Sequence, residues 1–292
     1  MVEVLVCGSA LVDMVFEVAD FPDRAEKYAA STARIVGGGC AGNAAVAITR
    51  LGGRARLLAR CGPDLMGDLA MDELYREGVC LDLVQRDDGA QSAYSSILVD
   101  AAGERQIVSF RGAGLAVLPP QNLGAPQAVL ADTRWPEAAE AVFALARAQG
   151  VPAVLDGEAP VPETLVALAT HTVFSAQGLR DFTGVDDLAA GLHRASTRSD
   201  WVAVTDGAAG VRVMDRGNAF HVAAPRIEVT DTLGAGDIWH GAFALALAEG
   251  RDEAHALRFA QAAAALKCMR SGGRAGAPDR TETTDFMQRM SI

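Results

Sequence analysis

Apolar segments with strand character alternate with helical segments along most of the chain. Strand patterns lie at residues 2–8, 128–132, 153–156, 171–175 and 201–205. Helical patterns lie at residues 42–52, 68–77, 136–149, 186–197, 236–249 and 252–270. This alternation predicts an α/β fold with a doubly wound, mostly parallel central sheet flanked by helices, because parallel neighbours need a helical crossover between them.

Two segments, 12–36 and 93–112, interrupt the alternation. Within the second, Ser95–Asp100 and Arg105–Phe110 flank a turn at Ala101-Ala-Gly-Glu104, which is typical of a β-hairpin. We predict that both segments pair into a small β-sheet that forms a lid over the active site. Because the sequence contains neither a low-complexity linker nor an internal repeat, residues 1–292 are predicted to form one domain that carries this lid.

Composition limits the partners. The formal net charge of −11 repels nucleic acid and anionic membranes, so neither is expected to bind, and an anionic substrate would need locally placed cations. The apolar segment 2–16 contains Glu3 and Asp13 and is too short for a membrane helix, which favours a core strand. Five dispersed cysteines without a C-x-x-C pair favour reduced, buried thiols in a cytoplasmic protein.

The segment Asp231-Thr-Leu-Gly-Ala-Gly-Asp237 places a glycine turn between two carboxylates, directly before a helical pattern. The amides of Gly234, Ala235 and Gly236 can converge on an anion at the positive end of the helix dipole. Asp237 is placed to deprotonate an attacking hydroxyl, and an anion site with such a base is what phosphoryl transfer requires. Alone, the turn could equally serve to start a helix close to a strand.

Two nucleotide-binding alternatives lack their motifs. The chain has no G-x-x-x-x-G-K-[ST], which excludes a P-loop ATPase. After the first strand it reads Gly8-Ser-Ala-Leu-Val-Asp13, which does not match the G-x-G-x-x-G of a dinucleotide-binding oxidoreductase.

Two motifs together resemble the ribokinase-like, or PfkB, family of carbohydrate kinases. The D-T-x-G-A-G-D motif of that family stands at Asp231–Asp237, and its N-terminal signature stands at Gly37-Gly-Gly-Cys-Ala-Gly-Asn43, continuing to Gly52. The resemblance covers essentially the whole chain. It implies a ribokinase-like fold and an ATP-dependent phosphoryl transfer to a sugar hydroxyl.

The resemblance also implies roles for individual residues. Asp237 corresponds to the base that activates the acceptor hydroxyl, and the amides of Gly234, Ala235 and Gly236 correspond to the anion hole. The positions that match the sugar-binding side are Asp13, Gly38, Gly39 and Asn43. The positions that match the strand and turn bordering ATP are Thr205, Gly207 and Gly210.

Five further segments are Glu26-Lys-Tyr28, Val129–Trp135, Val154–Gly157, Ala264–Cys268 and Gly272–Gly276. They resemble one group within the family, the bacterial kinases that phosphorylate 6-deoxy-6-sulfofructose at its C1 hydroxyl. In that group, Lys27 and Arg134 match positions that bind the sulfonate. Ser109 stands where the group has an asparagine, and Arg111 nearby could compensate. The expected acceptor is therefore a primary hydroxyl of an anionic keto-sugar, while a fructokinase, a ketohexokinase and a ketodeoxygluconate kinase remain alternatives.

ATP and Mg²⁺ are the expected cofactors, and activation by a monovalent cation remains open. The Asn-x-x-Glu motif that the family ties to magnesium is replaced by Ser175-Ala-Gln-Gly178, so no metal ligand is assigned. That departure also leaves open a catalytically inactive nucleotide-binding regulator.

A lid sheet could bury its apolar face against a second subunit, so we expect a homodimer. Asp132 and Asp156, at predicted strand ends, are candidates without a role, and His240 is assigned no chemistry.

Overall fold

The computed structural model describes residues 1–290. The strands are β1 (Glu3–Cys7), β2 (Leu11–Glu17), β3 (Thr32–Gly38), β4 (Arg54–Leu58), β5 (Arg60–Cys61), β6 (Gln85–Arg86), β7 (Tyr94–Val99), β8 (Arg105–Phe110), β9 (Ala128–Ala131), β10 (Ala153–Gly157), β11 (His171–Ser175), β12 (Trp201–Thr205), β13 (Val211–Asp215) and β14 (Asn218–Val222). The helices are α1 (Cys40–Arg50), α2 (Leu65–Arg76), α3 (Pro136–Gln149), α4 (Glu163–Leu168), α5 (Ala176–Thr183), α6 (Leu188–Ala195), α7 (Ala235–Ala248), α8 (Glu253–Cys268) and α9 (Arg280–Met290).

The central sheet has the strand order β14-β13-β12-β11-β10-β9-β1-β4. Strands β4, β1, β9, β10, β11 and β12 run parallel, and the hairpin β13–β14 adds an antiparallel edge. This confirms the doubly wound, mostly parallel sheet expected from the sequence. The antiparallel edge and strand β4 were not predicted.

Side chains alternate between two apolar cores, one on each face of the sheet. In β1, Val4 and Val6 face the core that contains α1, α7 and α8, whereas Leu5 and Cys7 face the core that contains α3. Alternation within one buried strand is what helices on both faces require. No helix within residues 1–290 is both long and apolar enough to span a membrane.

The opening apolar segment 2–16 is not one core strand but is divided between two sheets, in agreement with the predicted strand at 2–8 and the predicted small sheet from residue 12. Strand β1 lies in the central sheet, and β2 lies in the small sheet. The chain leaves β1 at Gly8, whose φ is +142° and whose hypothetical Cβ would lie 2.2 Å from the Asp132 carboxylate. Only glycine leaves room for that carboxylate and adopts this φ readily, which allows the chain to turn out of the central sheet at this position.

The small sheet has the order β3-β2-β7-β8 and occupies the two segments for which a lid was predicted. Pairs β2–β3 and β7–β8 are antiparallel, and β2–β7 is parallel. The register aligns Asp13, Ser95 and Ser109 in one row across β2, β7 and β8. The next row aligns Ile35, Met14, Ser96 and Val108, and because successive residues of a strand point to opposite faces, these side chains point away from the first row.

Candidate active site

The carboxyl ends of β1, β9 and β10 meet at one edge of the central sheet, where ligands bind in open α/β folds. Asp132, after β9, is buried and fully engaged. Its Oδ2 accepts hydrogen bonds from Ser9 N (2.7 Å) and Ser9 Oγ (2.8 Å), and its Oδ1 accepts one from Arg134 N (2.8 Å). Asp132 therefore organises the loops at this edge, a role that the sequence did not assign.

The 231–237 turn leads into the first turn of α7. Gly234 precedes the helix with φ at +76°, a left-handed conformation that favours glycine. The amide of Ala235 donates to Thr232 O at 3.2 Å, whereas the amides of Gly234 and Gly236 have no acceptor within residues 1–290. Two of the three predicted anion-hole amides are thus available at the positive end of α7.

The Asp237 carboxylate lies at the start of α7 beside the first turn of α1. Its Oδ2 accepts a 2.6 Å hydrogen bond from Nδ2 of Asn43. Burial, reinforced by the negative charge of Asp156, raises the pKa of Asp237 to about 7, although the Asn43 hydrogen bond opposes the shift. A carboxyl group with this pKa can accept and release a proton near neutral pH, which suits a general base.

A second buried acid, Asp156, lies beside His240. Oδ1 of Asp156 is 3.6 Å from Nε2 of His240, while Nδ1 of His240 is 2.7 Å from Gly236 O. Burial raises the pKa of Asp156 well above its usual range, and burial lowers the pKa of His240. His240, to which the sequence assigned no chemistry, thus contacts the turn that carries Asp237.

Three consecutive glycines, Gly37–Gly39, precede α1 and leave room for the side chains of Asp13 and Arg274. A Cβ on Gly38 would lie 2.1 Å from Oδ2 of Asp13, and one on Gly37 would lie 1.7 Å from Nη2 of Arg274. Gly39 has φ at +86° and passes close to Ser9 O. Burial raises the pKa of Asp13 to about 6, opposed by the neighbouring Ser95 hydroxyl and the Arg274 charge.

A first cavity, of about 280 Å³, opens between the small sheet and the edge of the central sheet. Among the predicted site residues, those that line it are Asp13, Gly39, Asn43, Ser109, Arg111, Arg134, Gly234 and Asp237. The polar row of the small sheet faces this cavity, with Ser95 Oγ 3.1 Å from Ser109 Oγ. The structure therefore gathers the predicted base, most of the predicted sugar-side residues and the small sheet around one space.

Three arginines line the first cavity, and the sequence pointed to only two of them. Arg111 follows β8, and Arg134 follows β9, where its Nη1 donates to Ala159 O at 2.8 Å. Arg60 was missed. Its guanidinium lies 4.7 Å from the Trp135 ring centre, and its Nη2 donates to Arg134 O at 3.4 Å. Its position directly after the apolar run 57–59 is the signal that could have revealed it.

Lys27, by contrast, lies in the exposed loop between β2 and β3 and does not line the first cavity. That loop is closed on itself by a 2.9 Å hydrogen bond from the Tyr28 hydroxyl to Asp23. Lys27 therefore remains a predicted anion contact that the described geometry does not bring to the cavity.

A second cavity, of about 380 Å³, lies on the other side of the 231–237 turn. Thr205, Gly207 and Gly210 line it, as do Gln261 and Ala264 of α8. Leu233, Gly234 and Asp237 face the first cavity, whereas Thr232, Ala235 and Gly236 face the second. The turn thus forms the partition between two ligand-sized spaces.

The residues at the altered magnesium motif do not supply a carboxylate. Ser175 caps α5 by accepting a 2.9 Å hydrogen bond from Gly178 N, and a Cβ on Gly178 would lie 1.8 Å from Gly157 O. Within residues 1–290, one group of side chains has metal-binding spacing, Cys40, Asp156 and Asp237. It fits Mg²⁺ poorly, because that ion prefers oxygen ligands and Asp237 is already held by Asn43.

Known proteins resemble almost the whole of this chain. Residues 1–280 match the family described as pfkB family carbohydrate kinase. Ribokinase of Bacillus subtilis (strain 168) is 30% identical and aligns over 97% of this chain and 99% of its own. A solved structure from Agrobacterium tumefaciens is 38% identical with a TM-score of 0.91, covering 98% of this chain and 97% of its own. Arabidopsis thaliana ribokinase, solved with ribose and ATP, is 25% identical with a TM-score of 0.86 and 99% coverage of both chains.

Proposed function

This chain belongs to the pfkB family of carbohydrate kinases, and we propose that it transfers the γ-phosphoryl group of ATP to a primary hydroxyl of a keto-sugar with an anionic substituent. The C1 hydroxyl of 6-deoxy-6-sulfofructose is the specific acceptor that we favour. The sugar-kinase activity follows from the family, whereas the acceptor is the proposal.

The observation that carries the proposal is the partition formed by the 231–237 turn. A sugar in the first cavity would meet Asp237, and a nucleotide in the second would meet Thr205 and Gly236. Phosphoryl transfer needs donor and acceptor on opposite sides of an anion site, roughly in line. The turn provides such an arrangement, with the free amides of Gly234 and Gly236 between the two spaces.

The chemical step can be written with the residues of this turn. Asp237 takes the proton of the acceptor hydroxyl, and the hydroxyl oxygen forms a bond to the γ-phosphorus. The bond between the γ-phosphorus and the bridging oxygen breaks, and ADP leaves with that electron pair. Negative charge that develops on the transferred group faces the amides of Gly234 and Gly236, which cost no reorganisation when the reaction occurs.

An anionic substituent is supported by the charges of the first cavity. Arg60, Arg111 and Arg134 line it in a protein whose net charge is −11, and Arg60 is partly buried against Trp135. Guanidinium groups bind sulfonate, carboxylate and phosphate through planar pairs of N–H donors. A neutral sugar would offer these arginines no charged partner of its own, and we therefore place the anionic end of the acceptor near Arg60 and Arg134.

Magnesium would be bound mainly through the nucleotide phosphates, as is usual for this ion in kinases. Because Gly178 offers no side chain, Glu158 is the residue of this chain that we propose for the missing carboxylate. Gly157 packs directly against Gly178, and Glu158 follows it and lies close enough to raise the pKa of Asp156. Bound magnesium would neutralise phosphate charge and orient the nucleotide.

A neutral pentose is the second candidate acceptor. The Bacillus subtilis relative is named a ribokinase, and the Arabidopsis structure contains ribose and ATP. A ribokinase would use Asp13 and Asn43 for the sugar and would gain nothing from Arg60 and Arg134. A catalytically inactive regulator, in turn, would have no use for a base with a pKa of about 7.

One experiment separates these candidates. We would measure kcat/KM for ATP-dependent phosphorylation of 6-deoxy-6-sulfofructose, fructose, ribose and ketodeoxygluconate by the wild type and by Arg60→Ala, Arg134→Ala and Lys27→Ala. The proposal predicts that the anionic keto-sugar is preferred, and that the Arg60 and Arg134 variants lose at least about tenfold on it, with little change on fructose, since each charged hydrogen bond contributes about 1.5–3 kcal/mol. Preference for ribose, with no effect of either arginine, would establish the second candidate.

A homodimer through the small sheet is the proposed assembly. Its outer row carries Ile35 and Val108, which are 62% and 70% exposed. Exposed apolar side chains on the outer face of a sheet favour burial against a second copy. Sedimentation analysis should give a dimer for the wild type and a monomer for Val108→Glu, and a monomeric wild type at micromolar concentration would refute the assembly.

A further inference from the structure

The chain has two lysines, and they lie in opposite environments. Lys27 is exposed, whereas Lys267, near the end of α8, has 0% of its surface accessible. Burying an ammonium group without partners would destabilise the folded state by roughly several kcal/mol, so neighbouring groups must offset this desolvation cost. The sequence patterns assign Lys267 no role.

Three oxygen atoms surround the Lys267 ammonium. Its Nζ donates to Asp231 O at 2.8 Å and to Arg270 O at 3.3 Å, and it lies 3.1 Å from Oδ2 of Asp231. An ammonium has three N–H donors, so this set satisfies all of them. Two carbonyl oxygens and a carboxylate are also the kind of ligand set that a bound alkali cation takes, because hard cations prefer oxygen.

The same carboxylate fixes the 231–237 turn. Oδ1 of Asp231 accepts from Leu233 N at 2.8 Å, and Oδ2 accepts from Gly272 N and Gly273 N at 3.1 and 3.2 Å. Asp231 itself is tied to α8 through its amide, which donates to Cys268 O at 3.1 Å. The ammonium therefore lies where α8, the 270–273 segment and the start of the turn converge.

A second cation reaches this carboxylate from the small sheet. Nη2 of Arg105, in β8, lies 3.9 Å from Oδ1 of Asp231, and the same nitrogen donates to the Thr232 hydroxyl. Arg105 remains 27% exposed and so keeps contact with solvent. Only Lys267 contributes a fully buried positive charge among the groups that face Asp231 within residues 1–290.

We infer that Lys267 is a positioning residue whose ammonium acts as a built-in monovalent cation for the phosphate-binding turn, so that phosphoryl transfer requires no added potassium, sodium or ammonium ion. The question of a monovalent activator, which the sequence left open, is thereby answered from the contacts of one side chain. Its geometry leaves no oxygen set for a free ion at this point, because the Lys267 ammonium already occupies it.

Two measurements test the inference, with the sugar that the wild type phosphorylates fastest. The first titrates KCl, NaCl and NH₄Cl against tetramethylammonium chloride at constant ionic strength, with ATP as its Tris salt and MgCl₂ fixed. The wild type should change less than about twofold in kcat. Stimulation by tenfold or more would overturn the inference, and this measurement needs no variant.

The second measurement uses Lys267→Ala and Lys267→Met. The alanine variant leaves space for a small cation and should lose at least about tenfold in kcat, with part of the loss restored by potassium, ammonium or methylammonium but not by tetramethylammonium. The methionine variant fills that space without charge, so it should be inactive and not restored. Wild-type kcat in Lys267→Ala without added ions, or no restoration in a variant that still melts cooperatively, would overturn the inference.

The inference rests on the kinase activity but not on the proposed acceptor. A chain that prefers ribose fails the acceptor proposal and leaves the ion test unchanged. If no sugar of the panel is phosphorylated, the same ion titrations can be read from the Kd for ATP, since the turn that Lys267 positions faces the second cavity.

Discussion

The side-chain amide of Asn43 donates a 2.6 Å hydrogen bond to Oδ2 of Asp237, across 194 residues of sequence. Asn43 belongs to the first turns of α1 and Asp237 to the first turn of α7, and these two helices pack against each other. The bond joins the two sequence motifs that resemble the family signatures. Because it stabilises the ionised carboxylate, it helps to set the pH at which Asp237 can act as a base.

Removing this hydrogen bond should move the pH profile. Asn43→Ala removes a donor to the carboxylate, so the pKa of Asp237 should rise above about 7, and the acidic limb of kcat/KM should shift upward by roughly one to two pH units. The measurement is kcat/KM between pH 5.5 and 9.5 for both proteins. An acidic limb at the same pH in both would show that Asn43 does not tune the base.

The buried carboxyl of Asp237 should also reduce stability at high pH. Its folded pKa, about 7, lies above its ordinary value of 3.8, so the folded state holds the proton more tightly, and this contribution to stability is lost as the pH rises from 3.8 through about 7 and is then constant. Asp237→Asn removes this cost. Its melting temperature should exceed that of the wild type by a few degrees at pH 8.5 and by less at pH 5. An equal difference at both pH values would contradict the assigned shift.

Gly234 should be sensitive for two separable reasons. Its φ of +76° disfavours any side chain, and a Cβ would lie 3.3 Å from Nδ2 of Asn43. Gly234→Ala should therefore lower kcat by about tenfold or more while costing about 1–2 kcal/mol of stability. Gly250→Ala is the matched control, because Gly250 has φ at +73° with nothing within 4 Å of its Cβ. It should lose similar stability and keep its kcat, and equal kcat losses in both variants would refute the local explanation.

The second cavity should respond to a larger side chain on α8. Ala264 lines that cavity, so the larger side chain of Ala264→Phe would occupy part of the space for the nucleotide. The KM for ATP should rise by about tenfold, because the clash costs about 1–3 kcal/mol. The KM for the sugar should change little. Ala254→Phe, at an exposed position of the same helix, is the control and should leave both constants unchanged. A rise in the sugar KM alone would place the nucleotide elsewhere.

Apolar periodicity was sufficient to predict the buried parallel strands and the long helices, because both faces of that sheet are covered. It failed at the edges of the sheet. Strand β4 begins Arg54-Ala-Arg56, and these arginines pair with Glu3 and Asp82 at the exposed side, so the strand lacks a continuous apolar run. The hairpin β13–β14, at the opposite edge of the sheet, also carries polar residues within its strands and so lacks a continuous apolar run.

Some residues of the candidate site were likewise predictable from the sequence, and others were not. The 231–237 turn and Asn43 lie in local motifs, and the sequence was enough to find them. Arg60, Asp132 and Lys267 act through contacts with residues distant in sequence, which depend on the strand order β4-β1-β9 or on the packing of α8 against the turn. Periodicity and motif spacing do not determine such contacts, so the structure was needed to give these side chains a role.

The central claim is that Asp237 is the base of an ATP-dependent sugar kinase. Its most direct test is the rate of phosphoryl transfer from ATP to the preferred sugar by Asp237→Asn at pH 8, with the Kd for ATP measured alongside by calorimetry. The amide keeps an oxygen that can accept the Asn43 hydrogen bond but cannot take a proton, so kcat should fall by about 10²–10⁴ while ATP binding is retained. A kcat within tenfold of the wild type would contradict the account.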